Sequence, residues 1–326
     1  MEKLQPKLRF PDFEGDWSKY TLEQLTIKIG DGLHGTPQYV ENSDVYFING
    51  NNLIDGKIVL NDNSKKVSVE TQKKNNKGLD ENSILVSING TIGSISKYNN
   101  EKVMLGKSIG YFNFKKSRDF YYHILQSNKI QDYFISELTG STIKNLSLKT
   151  LRETNIYQPS LAEQTRIADF LSSIDEKLNL LKEKKSLLED YKKGIMQKIF
   201  NQEIRFKDDN GEDFEEWEEK TFGEMSTIRR GASPRPITDA KWFDENSKIG
   251  WVRISDVTKS NKYLFKTEQY LSVLGVNKSR LVTKGNLIMS ICATIGKPIY
   301  TNFDVCIHDG FVVFENLKGY REYFYY

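Results

Sequence analysis

Cysteine is nearly absent from this chain: Cys292 and Cys306 are the two thiols in 326 residues. Both fall in the second of two similar stretches, where the first has Asn89 and the Val103–Leu105 run. That mismatch excludes a disulfide common to both stretches and leads us to expect a reduced, cytoplasmic setting. Histidine is as scarce, with His34, His123 and His308 far apart in sequence. None has a second histidine or a cysteine pair at metal-ligand spacing, so no metal site is expected. No glycine-rich loop leads into Lys-Ser or Lys-Thr, and no dinucleotide fingerprint is found. The Asn-Pro-Pro-aromatic motif that marks amino methyltransferases is missing as well. Catalysis therefore has no candidate residue. Apolar runs stay well below eighteen residues, which excludes a spanning helix, and Met1–Pro6 lacks the apolar core of a signal peptide. The net charge of +3 neither demands nor forbids nucleic acid.

What the chain does contain is a long internal recurrence. Ser83-Ile84-Leu85-Val86-Ser87-Ile88-Asn89-Gly90-Thr91-Ile92-Gly93 returns as Asn286-Leu287-Ile288-Met289-Ser290-Ile291-Cys292-Ala293-Thr294-Ile295-Gly296. The interval is far too long for a solenoid repeat of twenty to fifty residues, so a domain-sized unit has been copied. Other pairs keep the same order. Arg9-Phe10 through Trp17 answers Arg205-Phe206 through Trp217, and Thr21 answers Thr221. Gly35-Thr36-Pro37 is set against Ala232-Ser233-Pro234, and Phe47–Leu53 against Trp251–Val257. Lys107-Ser108-Ile109-Gly110 is set against His308-Asp309-Gly310-Phe311. Apolar positions are kept while polar ones differ, the pattern of a conserved scaffold with an altered recognition surface. Arg321–Tyr325 matches Arg118–Tyr122, after which the first copy continues through a helical stretch (Tyr121–Leu138) and an Ile143–Leu151 segment. The second copy thus reads as truncated relative to the first.

Between the copies the composition changes. From Ser160 to Phe200 proline is absent, glycine is reduced to Gly194, and Leu, Ile, Lys and Glu dominate. Ser160 and Glu163 have capping-box spacing, with Glu163 expected to reach back to the cap amide. Leu171, Ile174, Leu178, Leu181, Leu188, Ile195 and Ile199 follow a three-four spacing, the seam of a coiled coil. Forty residues of helix span roughly 60 Å, and a stripe of that length has to be buried on a partner. The expected organisation is a first recognition domain over 1–158, a spacer helix over 159–201 and a second recognition domain over 202–326.

Each copy alternates short β-rich runs (Val45–Ile48, Ile84–Ile88, Ile95–Tyr98, Tyr111–Phe114) with Gly and Asn turns and a modest helix. This gives an α+β class with curved mixed sheets. Candidate contact residues are polar groups on matched loops. They are Thr36, Gln38, Asn49, Asn51, Asn52, Asn89, Thr91, Lys107 and Ser108 in the first copy, and Ser233, Arg235, Arg253, Asp256, Thr294, Lys297 and His308 in the second. Asn and Gln suit bidentate pairing with adenine, and Arg suits guanine. A single Asn in a turn is more often only a turn residue. The argument rests on matched loops that carry Asn in one copy and Arg, Ser and Asp in the other. A stand-alone enzyme is argued against by the missing motifs. A coiled-coil scaffold whose flanking domains bind protein is argued against by the polar character of these loops.

These features together resemble one family. The tandem domains each open on an Arg-Phe…Trp element. Gly35-Thr36-Pro37 and the two Ser-Ile-x-x-Thr-Ile-Gly runs fit, and so does Gln158-Pro159-Ser160-Leu161-Ala162-Glu163-Gln164 leading into Ile167, Leu171 and Asp175. All resemble the specificity subunit of type I restriction-modification enzymes, with the last string the most specific. The resemblance implies that each domain reads one half of an interrupted duplex sequence, with the helix as a ruler. Recognition modules about one duplex turn, roughly 34 Å, apart would match such a spacer. It also implies partners: two methyltransferase subunits using S-adenosylmethionine, and motor-nuclease subunits using ATP and Mg2+, with no cofactor on this chain. The family's second conserved helix has no counterpart here. Leu171, Ile174, Leu178, Leu181 and Leu188 are therefore expected to pair with another copy or with a methyltransferase subunit. A truncated product without function is the alternative.

Overall fold

The computed structural model describes residues 6–61, 63–140 and 144–326. Its contacts divide the chain into two compact units, Met1–Leu188 and Glu189–Tyr326, so the division falls within the long helix.

In the first unit six strands form the framework: β1 (Thr26–Asp31), β2 (Val45–Ile48), β3 (Ser83–Ser87), β4 (Ile95–Lys97), β5 (Val103–Leu105) and β6 (Ile109–Phe114). An antiparallel sheet runs in the order β1-β6-β3-β4. The second sheet is mixed: β2 pairs parallel with β5 and antiparallel with Lys66–Val67. Every residue of β3, β5 and β6 is buried, so these strands are covered on both faces, with the buried Ser83 hydroxyl donating to Asn113 Oδ1. One face of the antiparallel sheet (Ile84, Val86, Phe112, Phe114) packs with Phe120, Leu125 and Phe134 of the helices. The other (Leu85, Ile109, Tyr111) packs on Ile48, Val103 and Leu105 of the mixed sheet. The helix expected over Tyr121–Leu138 is two helices, Arg118–Leu125 and Asn128–Ser136. Ser127 takes extended backbone between them, and the Gln131 amide donates to the Leu125 carbonyl at 2.7 Å, closing the first helix. Leu148–Glu153 is helical behind its cap Ser147. Ile143, where that segment was expected to begin, lies outside the described residues.

The second unit repeats the framework with β7 (Thr227–Arg230), β8 (Gly250–Val252), β9 (Leu287–Ser290), β10 (Pro298–Thr301), β11 (Val305–Ile307) and β12 (Phe311–Glu315). Its sheets run β7-β12-β9-β10 and β8-β11, the latter parallel, with short strands added at the edges. Four loop hydrogen bonds recur in matched positions. Gly32 N–H donates to Ile109 O as Gly231 does to Phe311 O, and Leu33 N–H donates to Leu105 O as Ala232 does to Ile307 O. Ile88 N–H donates to Ser108 O as Ile291 does to Gly310 O, and Gly93 closes on Ser87 as Gly296 does on Ser290.

These bonds correct two pairings expected from sequence. Ser108 matches Gly310, so Lys107 matches Asp309 and Gly106 matches His308, one place from the expected register. Counting on from Leu33 and Ala232, Thr36 matches Arg235 and Pro37 matches Pro236, two places from the expected register. Short apolar strands fix the alternation of faces, but loop positions slip unless a backbone bond pins them.

The long helix is observed as Leu161–Phe200, 40 residues. Ser160 Oγ accepts from Glu163 N–H at 3.4 Å, but the other half of the expected capping box is not made. The buried Glu163 carboxylate instead takes Arg9 Nε and Nη2 at 2.8 and 2.6 Å. The same guanidinium donates to the Glu14 and Gly15 carbonyls, and Phe10 meets Phe170 edge-on. A paired, hydrogen-bonded carboxylate thus stitches the opening segment to the helix. Arg205 repeats the two carbonyl bonds, to Phe214 and Glu215, and its carboxylate partner is the 86% exposed Glu216. Farther along the helix, Ile174, Leu178, Leu181 and Leu188 are exposed. Leu171 is half-buried, lining a cavity with Phe10 and Trp17. No helix among the described residues is long and apolar enough to cross a membrane.

Candidate nucleic-acid interface

Four loops meet at one end of the sheets in each unit: the loops after the first and second strands, the turn after the third, and the turn before the sixth. Glycine makes the meeting possible. A Cβ on Gly32 would lie 2.2 Å from Gly106 O, and one on Gly231 would lie 2.1 Å from His308 O. Backbone approaching backbone this closely leaves room for no other residue.

In the second unit three of these loops, all but the turn after the third strand, line a cleft of about 790 Å³. The expected residues Ser233, Arg235, Arg253 and His308 line it together, with Asp309, Pro236, Ser255 and Trp251. Trp251 is fully buried and forms the floor. Asp309 Oδ1 accepts from Ser233 Oγ at 2.9 Å, and its other oxygen lies 3.9 Å from Arg235. The Ser233 bond holds this carboxyl below the usual carboxylate range. Asp309 was not among the residues expected from sequence, although its adjacency to His308 was a usable signal.

Three expected contact residues also bond to the backbone of the fold. Asp256 is buried, its carboxylate accepting from Arg253 N–H at 2.9 Å and Glu268 N–H at 3.1 Å. It caps the helix Ile254–Lys259. Asn52, its counterpart, accepts from Asn49 N–H and donates to Val59 O. Lys297 Nζ donates to the Thr258 and Ser260 carbonyls, satisfying the end of the same helix. Each residue type suits base or phosphate contact, and in each a backbone group already takes part of the hydrogen-bonding capacity.

In the first unit Asn49 and Ser108 are drawn together. Ser108 Oγ accepts from Gly50 N–H at 2.9 Å and donates to Asn49 Oδ1 at 3.0 Å. Asn89 adjoins them, its carbonyl accepting from Ser87 Oγ. Thr91 is bonded to Ser87 Oγ at 3.2 Å, yet it is exposed at the turn. Thr36, Gln38, Asn51 and Lys107 are exposed, and so is Thr294 in the second unit. Among the described residues, no His, Cys, Asp and Glu cluster could hold a metal ion. His123, Ser172 and Asp175 are residue types of a hydrolytic triad, but they act as a latch. The ring meets Ser172 Oγ at 3.2 Å and Asp175 at 3.8 Å, two helix residues one turn apart.

The chain matches the type I restriction modification DNA specificity domain over residues 14–190 and 214–326, and it belongs to that family. Its relatives include the specificity subunits of two type I restriction enzymes of Methanocaldococcus jannaschii. MjaIX is 26% identical over 149 residues, covering 43% of this chain and 34% of the relative. MjaVIII is 30% identical over 115 residues, covering 33% and 27%. The chain thus spans about a third of the length of these relatives. Two solved structures are similar in fold. The S subunit of a type I restriction-modification system from M. genitalium has a TM-score of 0.52 at 16% identity, covering 96% of this chain and 75% of that one. A chain solved for the structural basis of complex assembly and conformational transition in the type I R-M system has a TM-score of 0.56 at 14% identity, covering 96% and 77%. The fold class is that of these proteins: α+β, with two tandem units of mixed sheets connected through a long helix.

Proposed function

We propose that this chain is the sequence-specific DNA-recognition subunit of a type I restriction-modification enzyme, each unit reading one half of a bipartite duplex target. One observation carries the reading: the two units share matched loop hydrogen bonds, yet differ in the polar residues those loops carry. Asn49, Ser108 and Lys107 in one unit are replaced by Arg253, Gly310 and Asp309 in the other. A scaffold held constant under changed polar loops is what two readers of different base edges require. The chain itself is non-catalytic in this reading. Adenine-N6 methylation and DNA cleavage belong to methyltransferase and motor-nuclease partners, which use S-adenosylmethionine, ATP and Mg2+. The exposed row Ile174, Leu178, Leu181 and Leu188 is the surface offered to a methyltransferase subunit or to a second copy of this chain.

The test is co-expression with the methyltransferase subunit in a methylation-free host, followed by genome-wide mapping of modified adenines. A bipartite motif is expected. Modification by this chain alone, or no motif in its company, would refute the proposal.

A further inference from the structure

The cleft of the second unit contains a side chain that the framework does not need. His308 occupies the position of Gly106 in the first unit, and Phe311 N–H donates to its carbonyl as Ile109 N–H donates to that of Gly106. Two places on the exchange is reversed: Ser108 stands in the first unit and Gly310 in the second. The pair of differences has a packing logic. A Cβ on Gly310 would lie 2.4 Å from the His308 ring, so the imidazole fits only where that position is bare. Losing the Ser108 hydroxyl also loses the bond that ties down Asn49, whose counterpart is Arg253. The exposed Arg253 guanidinium accordingly has no hydrogen-bond partner among the described residues.

The ring's proton is fixed by its neighbours. Gly310 N–H donates to His308 Nδ1 at 2.9 Å, which requires a bare Nδ1 and puts the hydrogen on Nε2. Phe311 meets the ring edge-on at 4.8 Å and Trp251 lies at 5.9 Å, so the imidazole cannot swing to another partner. Burial, and then the nearby Arg253 charge, hold its pKa below the ordinary value against the pull of Asp309, which favours the neutral ring. His308, a lining residue of the cleft, is therefore left with Nε2–H as its one ring donor, and the donor-only fork of Arg253 lines the same cleft.

We propose that His308 and Arg253 are the specificity-determining residues of the second unit and read the paired acceptors of a guanine, N7 and O6, in the major groove. Guanine is the base that presents two adjacent acceptors there. A phosphate offers acceptors too, but a neutral imidazole gains nothing from counterion release, which rewards cations. An aromatic floor beneath a concave cleft also suits a base edge better than a strand backbone. The assignment rests on the reading of the chain as a DNA-specificity subunit.

The experiment uses the full chain with its methyltransferase partner and compares methylation motifs of the parent with those of His308→Gly, His308→Gln and Arg253→Ala. Glycine is the residue the first unit tolerates at this place, so the fold is expected to survive, and retention of the other half-site reports that it has. In His308→Gly and Arg253→Ala, one G·C position of a single half-site should relax. In purified complexes the same variants should lose roughly ten- to hundredfold discrimination at that pair by duplex titration. His308→Gln, which keeps a donor, should retain part of it. An unchanged motif, relaxation at an A·T position, or a uniform loss over all sequences with a shallower salt dependence would each overturn the proposal. A parent complex that yields no motif would instead refute the DNA-specificity reading, and this assignment with it.

Discussion

Gly32 and Gly231 show how a single residue sets the geometry of a loop cluster. Each brings its strand end against another backbone, closing the loops into one cluster. Gly32→Ala would drive a methyl into Gly106 O, a backbone atom without freedom to yield. A cost of about 1–3 kcal/mol in the first unit is expected from such overpacking. Gly35→Ala, where nothing lies within 4 Å, should leave stability nearly unchanged. Urea unfolding of the two variants, followed by a first-unit probe, checks the contrast. A glycine's presence was legible in the sequence, but its reason was not, because the carbonyl it avoids belongs to a residue more than seventy positions away. The same holds for Asn52 and Asp256. Their residue types suggested base contact, and only the folded backbone showed their side chains already bonded to amides.

At the scale of elements, the sequence was most readable where periodicity is long. The forty-residue helix and the strand Val45–Ile48 fell where expected because apolar spacing leaves no alternative. The Tyr121–Leu138 helix did not, since Ser127 and a Gln131 side chain broke it locally. The helix start also differed, with Glu163 turned from its own cap to Arg9. That pair predicts a measurable asymmetry. Glu163→Gln should lower the melting temperature and raise amide exchange over the first turns of the long helix. Glu216→Gln, removing an 86% exposed partner of Arg205, should do neither. Equal effects from the two substitutions would contradict the stitching role assigned to Glu163.

At the scale of the whole molecule, the exposed leucine row is the feature that stability within the chain does not explain. An apolar stripe left in water favours association. Sedimentation of the purified chain should show self-association, or a monomer that associates with the methyltransferase subunit. Replacing Leu178 and Leu181 by Glu should abolish either one while leaving both units folded by thermal unfolding. Retained assembly in that variant would move the contact surface elsewhere.

The sequence alone determined that two similar α+β units flank one long helix, because repetition and hydrophobic period survive in one dimension. It also set the chemistry available at the loops. The tertiary structure decided which of those residues line the loop cleft, which register pairs the two copies, and which side chains are taken up by backbone groups. Those outcomes depend on hydrogen bonds between residues distant in sequence, and such bonds exist only once the backbone has closed. His308 shows the difference. As a letter it was one scarce histidine; beside Gly310, Phe311 and Trp251 it becomes an oriented donor.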